Sequence, residues 1–178
     1  MAIDQDVWLN LTPEDALDPD LPICDPHHHL WDHPNNRYLL DELAHDTGSG
    51  HNVVQTVFVD CVSLYRKDGP EEMRPIGETE FAEGVATQSA NGGHGPTAAC
   101  AGIVSFVDMS LGDAAQPVLE AHIAASPNRF RGIRHASSWH ESPKIRNAHT
   151  NAPQGLMLDK TFQKGVKCLH RMGLSFDA

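Results

Sequence analysis

The sequence has little of what membrane, nucleic-acid-binding and secreted proteins require. No apolar run approaches the roughly 18 residues that a membrane helix needs. The 13 basic and 24 acidic residues give a formal charge of −11. Such an acidic balance disfavours nucleic acid and anionic membranes as partners. Residues 1–6 are acidic and lack the basic and apolar regions of a signal peptide, so we expect a cytoplasmic protein.

Cysteine is scarce and shows no motif. The four cysteines are widely separated and form no Cys-x-x-Cys pair: Cys24, Cys61, Cys100 and Cys168. This spacing disfavours both a disulfide framework and a zinc knot, so we expect reduced, packed thiols. A glycine-rich phosphate loop is also missing after the first predicted strand, which makes a dinucleotide-binding fold a weak hypothesis.

Apolar runs and helical patterns alternate along the chain. The predicted strands centre near residues 23, 56, 102, 132 and 175. The second, Val53–Val59, is almost wholly β-branched or apolar, which is typical of a parallel strand buried on both faces. Residues 1–20 are rich in Asp and Pro and predict an N-terminal arm before one domain over residues 21–178. Repeated parallel crossovers imply either an open doubly wound sheet or a barrel.

A histidine cluster follows the first predicted strand. Residues 25–29 are Asp-Pro-His-His-His, and the alternation of side chains along a strand places His27 and His29 on one face. Two imidazoles at one strand end can bind a single metal ion. Asp25, on the same face, could orient a ligand ring by accepting its second N–H. We therefore predict that His27 and His29 bind a metal or a substrate; a solvated loop is the alternative.

The same cluster resembles a known family. A strand that ends in Asp-x-His-x-His and continues into Leu-Trp-Asp at 30–32 is similar to the first strand of the amidohydrolase-related (amidohydrolase 2) family, which holds lactonases and decarboxylases. Three later stretches are similar to the same family: residues 74–81, 130–135 and 173–177. The resemblance implies an α/β fold that is a partial (β/α)8 TIM barrel, with about four βα units and the start of a fifth strand.

The resemblance also implies a function. The protein would be a hydrolase of a lactone or similar carbonyl substrate, with His27 and His29 as catalytic residues. They would hold a divalent metal ion, expected to be zinc, or polarise the substrate without one, as some lactonases of this kind do. The family's later ligands have no counterpart in residues 1–178, so we expect the N-terminal part of a longer enzyme, with activity of this chain alone uncertain.

Other functions fit the same residues. One is a metal-dependent decarboxylase of the same scaffold, and another is a non-catalytic half-barrel remnant. The expected partner is a small-molecule lactone or carboxylate. Exposed strand edges of a half barrel would also favour a homo-oligomer.

Further candidate site residues lie in the second half of the chain. Arg134 and His135 end the fourth predicted strand, and alternation brings one of them to the mouth, where it would bind a substrate carboxylate. The alternative is that both anchor the following loop. That loop, residues 137–158, is long and polar and is either a substrate lid or a solvated insertion. Glu78 and Glu80 are also candidates for the site, but we interpret them as solvated residues in the first turn of a helix.

Overall fold

Strands and helices alternate through the described residues, which in this computed structural model are 7, 8, 10–145 and 149–178. The strands are β1 (Ile23–His28), β2 (Trp31–His33), β3 (Asn36–Tyr38), β4 (Val53–Val59), β5 (Ala98–Ser105), β6 (Phe130–Arg134) and β7 (Ser175–Asp177). The α-helices are α1 (Leu40–Thr47), α2 (Ile76–Ala90), α3 (Ala115–Ala125) and α4 (Lys160–Arg171). Short 3-10 helices lie at Glu71–Met73, Met109–Ala114 and Leu156–Leu158.

Five of these strands form one parallel sheet in the order β1-β4-β5-β6-β7. Each coincides with one of the five strands predicted from the sequence, so those strand positions are confirmed. Because every neighbouring pair is parallel, the carboxyl ends of all five strands meet at one edge of the sheet. The residues that directly follow the strands are therefore neighbours in space.

The predicted partial (β/α)8 barrel is wrong. In the described residues the sheet is open, since β1 and β7 each pair with one neighbour only. A barrel requires eight paired strands and typically about 250 residues. The strand order and small size instead indicate an open, Rossmann-like α/β sheet. The prediction failed because alternating strands and helices are common to open sheets and barrels, and local patterns do not determine whether a sheet closes.

The core lies between the sheet and its helices. Helix α2 packs against β5, and α3 contacts both α2 and α4. The largest side chains that are almost completely buried include Phe58, Ile103, Leu119, Ile133, Phe162 and Leu169. These residues come from both strands and helices. Their burial against one another stabilises the sheet and sets the position of its carboxyl edge.

A second, two-stranded sheet was not predicted from the sequence. Strands β2 and β3 pair in antiparallel fashion directly after the histidine cluster. The turn between them contains Asn35, whose φ of 62° is in the left-handed region that asparagine tolerates. The ring of Trp31 in β2 stacks on His33 at 6.1 Å. The hairpin therefore places an aromatic surface beside the end of β1.

The predicted N-terminal arm lies partly outside the described residues, since residues 1–6 and 9 are not among them. Residues 10–20 form turns, bends and irregular structure and are almost all exposed, and Leu17 is fully exposed. The Nδ2 atom of Asn52 donates a hydrogen bond to the carbonyl oxygen of Asp20 at 3.1 Å, just before β1. Among the helices described, none is long and apolar enough to cross a membrane.

Helix α4 is capped at its N-terminus by the side chain of Asp159. The Asp159 carboxylate accepts hydrogen bonds from the backbone N–H groups of Thr161 and Phe162, both at 2.8 Å. We expect Asp159→Ala to lower the free energy of unfolding by about 1 kcal/mol, because two N–H groups lose their acceptor. Denaturant unfolding measures this loss. Asp68→Ala, in an exposed loop, is the control; an equal effect of both substitutions would contradict the capping role.

Candidate functional site

His27 and His29 lie together at the carboxyl edge of the sheet. Their Nε2 atoms are 3.2 Å apart, and their rings meet edge to face with centroids 4.8 Å apart. His28 points to the opposite side, where it is buried and its ring contacts Phe58 at 5.9 Å. The predicted alternation is therefore confirmed, and the two outer histidines face one point.

The contact of His29 with the neighbouring strand determines which of its nitrogens carries the proton. Its Nδ1 atom lies 2.7 Å from the carbonyl oxygen of Val59, at the end of β4. Because a carbonyl can only accept, Nδ1 must carry the hydrogen. Burial, together with the nearby Arg134 and His27, lowers the pKa of His29 below its usual value. The ring is thus neutral at neutral pH, and its Nε2 atom directs a lone pair towards His27.

This geometry fits two ligands of one metal ion. Two imidazole nitrogens bound to zinc at about 2.05 Å with a tetrahedral angle would be about 3.3 Å apart, close to the 3.2 Å between the two Nε2 atoms. Within residues 7–8, 10–145 and 149–178, no group of three or more His, Cys, Asp or Glu side chains could hold a metal. Two imidazoles are therefore what the described part of the chain offers to an ion.

Arg134 brings a positive charge to the pair. Its Nη1 atom is 3.4 Å from His27 Nε2, and its Nη2 atom donates to the backbone oxygen of Asp60, the residue after β4. The same Nη2 atom lies 3.9 Å from the Asp60 carboxylate, which is fully buried. His149 approaches that carboxylate as well, with Nε2 3.5 Å from Oδ2. Of the two candidates at the end of β6, Arg134 is thus the one that reaches the histidines.

His135 lies elsewhere, in the apolar interior. Its Nδ1 atom accepts a hydrogen bond from the backbone N–H of Met109 at 3.2 Å, and its ring contacts Phe106 and Phe162 with centroids 5.4 and 5.1 Å away. Burial lowers its pKa, which favours a neutral ring. These contacts hold His135 against Met109, Phe106 and Phe162, away from the histidine pair.

Asp25 is close to the cluster, but it contacts the backbone. Its Oδ1 atom accepts a hydrogen bond from the His27 backbone N–H at 3.1 Å. The ring of His29 is the one whose orientation is fixed, because its Nδ1–H group donates to the Val59 carbonyl. The orienting role predicted for Asp25 is therefore filled at His29 by the backbone of β4.

The loop over residues 137–158 reaches the site through His149. Residues 146–148, which belong to the predicted lid, lie outside the described residues. Thr150 Oγ1 donates to the carbonyl oxygen of Ala136 at 2.7 Å, so the end of the loop is tied to the end of β6. This contact holds His149 beside Asp60.

Two carboxyl groups that belong to the site, those of Glu78 and Asp60, were not recognised as site residues from the sequence. Glu78 was interpreted as solvated, and that is wrong: it is fully buried and accepts from the backbone N–H groups of Ser63 at 2.7 Å and Cys61 at 3.1 Å. Glu80 is exposed as expected and pairs with Arg66. Asp60 directly follows β4, and no role was predicted for it from the sequence. That position was the available signal, since ligands of open α/β sheets bind beyond the carboxyl ends of the strands.

Comparison with known proteins gives one similarity to report. A curated protein of Sinorhizobium fredii, described as uncharacterized protein y4mH, is 28% identical over 180 residues, which cover 89% of this chain and 53% of that protein. The chain thus spans about half the length of the curated relative it matches. No family model matches the chain, and no solved structure matches it significantly.

Proposed function

We propose that the protein is a hydrolase of a small carbonyl substrate, with a lactone as the expected class, and that it belongs with the amidohydrolase-related proteins that its sequence resembles. The observation that carries this proposal is the convergence of His27 and His29, whose Nε2 atoms are 3.2 Å apart next to the Arg134 guanidinium. Two imidazoles and the Arg134 cation at one point suit a substrate that carries an electron-rich oxygen.

The proposed roles follow from the contacts of each side chain. His29 is held by the Val59 carbonyl, so its Nε2 atom keeps a fixed direction towards the substrate position. Arg134 is held by the Asp60 backbone oxygen and is mostly buried, at 19% exposure. A guanidinium fixed in this way can bind a carboxylate or a developing oxyanion through its N–H groups. The site would thus orient the carbonyl on the histidines and its charged end on Arg134.

A divalent ion, with zinc as the expected one, is part of the proposal. Held by His27 and His29, it would polarise the carbonyl and lower the pKa of a bound water. The chain's own contribution is to keep both Nε2 atoms close together at one point. The neutral state of His29 is required for this, and burial favours it.

The surroundings of the site provide room for a small molecule. A cavity of about 400 Å³ is lined by Phe106, Asp108, His149 and Thr150, among others, on the Asp60 side of the site. Neither this cavity nor two larger ones, of about 540 and 510 Å³, is lined by His27, His29 or Arg134. The smaller cavity is connected to the site through His149, which lines it and reaches Asp60.

The four cysteines, all in the described part, are free, which supports the cytoplasmic location included in the proposal.

The proposal is tested by hydrolysis of a panel of lactones, followed through the acid that ring opening releases. We expect His29→Ala to lower the rate about 100-fold or more, because the substrate oxygen loses a directed partner. His33→Ala is the matched control, since this exposed histidine stacks on Trp31 a few residues away. It should leave the rate unchanged.

Two other outcomes would contradict the proposal that the protein is a hydrolase. Release of carbon dioxide from a carboxylic acid substrate would indicate a decarboxylase. A rate equal to that of the uncatalysed reaction, with no difference between the two variants, would indicate a non-catalytic protein.

A further inference from the structure

Two buried carboxyl groups lie behind Arg134. Asp60 and Glu78 are both fully buried, and both accept hydrogen bonds from the loop that follows β4. Among the described residues, Asp60 Oδ2 and Glu78 Oε2 have no hydrogen-bond partner. Two ionised carboxylates have no proton to donate, so a hydrogen bond between these two oxygens requires one proton.

The other oxygen of each group is already supplied with donors. Asp60 Oδ1 accepts from the Tyr65 hydroxyl at 2.6 Å and from the Val62 N–H at 3.4 Å. Glu78 Oε1 accepts from the two backbone N–H groups of Ser63 and Cys61, and the Cys61 thiol lies 3.6 Å away. Both groups are therefore fixed in position, and their free oxygens are the ones left for each other.

Charge decides which group holds the proton. The charged or polarisable neighbours described around the pair are Arg134, His149, Tyr65 and Cys61. The two basic groups approach Asp60, at 3.9 and 3.5 Å from Oδ2. Burial, followed by the negative charge of Asp60, raises the pKa of Glu78 to about 9. Glu78 is thus the neutral acid, and Asp60 is the carboxylate that faces Arg134 and His149.

We propose that Glu78, as a protonated acid, donates to Asp60 and thereby acts as a positioning residue that holds the Asp60 carboxylate against Arg134 and His149. One shared proton leaves a single negative charge for the Arg134 cation, whereas two buried carboxylates would carry an uncompensated charge. Glu78 would set the direction of the Arg134 guanidinium without touching the substrate. The inference rests on the proposed function only for the role of Arg134 in binding the substrate.

The proton is tested by infrared spectroscopy at neutral pH. Native protein should show the carbonyl band of a protonated carboxylic acid, and Glu78→Gln should lose it. Glu80→Gln is the matched control, because Glu80 lies in the same helix but is exposed and pairs with Arg66. Absence of the band in the native protein, or its persistence in Glu78→Gln, would overturn the proposal.

The positioning role is tested by NMR of the Arg134 side chain, whose Nε atom is buried. Glutamine retains a donor for Asp60, so Glu78→Gln should keep the slow exchange of the Arg134 Nε–H signal. Glu78→Leu has no donor and should accelerate that exchange about tenfold or more. If Glu78→Leu does not fold, loss of protection in Glu78→Gln would overturn the proposal. Neither measurement uses turnover or bound metal, so this inference and the hydrolase proposal can fail independently.

Discussion

Replacing Gly165 with alanine is expected to lower the free energy of unfolding by about 2–3 kcal/mol. Gly165 lies within α4, where the helix backbone passes directly over the 3-10 helix Met109–Ala114. A Cβ atom at this position would overlap the backbone of Met109, closer than real Cβ contacts come. Because a backbone segment cannot rotate away as a side chain can, α4 would have to shift from the core. Chemical denaturation at equilibrium measures the loss.

Gly84→Ala is the matched control for this substitution. Gly84 is also within a helix, α2, but it is exposed and a Cβ atom would meet nothing within 4 Å. Alanine is preferred to glycine in a helix interior by about 0.5–1 kcal/mol, so this variant should be slightly more stable than the native protein. Similar effects of the two substitutions would contradict the close approach of α4 to Met109.

Replacing Glu78 with glutamine is expected to change how stability depends on pH. The pKa of Glu78 is raised from its ordinary 4.5 to about 9. Between these values the folded protein retains a proton that the unfolded chain releases. The free energy of unfolding therefore falls as pH rises, by up to about 1.4 kcal/mol per pH unit from this group. Glu78→Gln removes this contribution, so its stability relative to that of the native protein should increase steadily from pH 5 to pH 9.

The measurement is denaturant unfolding at a series of pH values, and Glu80→Gln controls for the removal of a carboxylate. The control substitution lies in the same helix, at the exposed pair with Arg66. It should not reproduce the growing difference. Parallel curves for native protein and Glu78→Gln would show that Glu78 is ionised in the folded state.

The positions of the strands could be predicted, whereas the closure of the sheet could not. Val53–Val59 is a continuous apolar run, and such a run predicts a buried strand from local sequence alone. Whether the sheet closes depends on which strands pair over long distances. The short strands Trp31–His33 and Asn36–Tyr38 were missed because three residues are too few to show a pattern.

The histidine pair could be predicted because it also depends on local sequence. Side chains alternate along a strand, and this rule correctly put His27 and His29 on one face. Glu78 was missed because its burial depends on the loop after β4, whose Ser63 and Cys61 N–H groups fold back onto the start of α2. A first-turn glutamate in a helix ordinarily remains in solvent, so the sequence contains no local sign of this contact. The choice of Arg134 over His135 likewise depends on the pairing of β6 with β5 and β7.

The most direct test of the central claim, that His27 and His29 form one ligand-binding site, is a calorimetric titration with Zn²⁺. Native protein should bind one ion, and His27→Ala and His29→Ala should each bind it about 10-fold to 100-fold more weakly. His33→Ala should bind it as the native protein does. Absence of binding by the native protein, or equal binding by all four proteins, would contradict a shared site at His27 and His29.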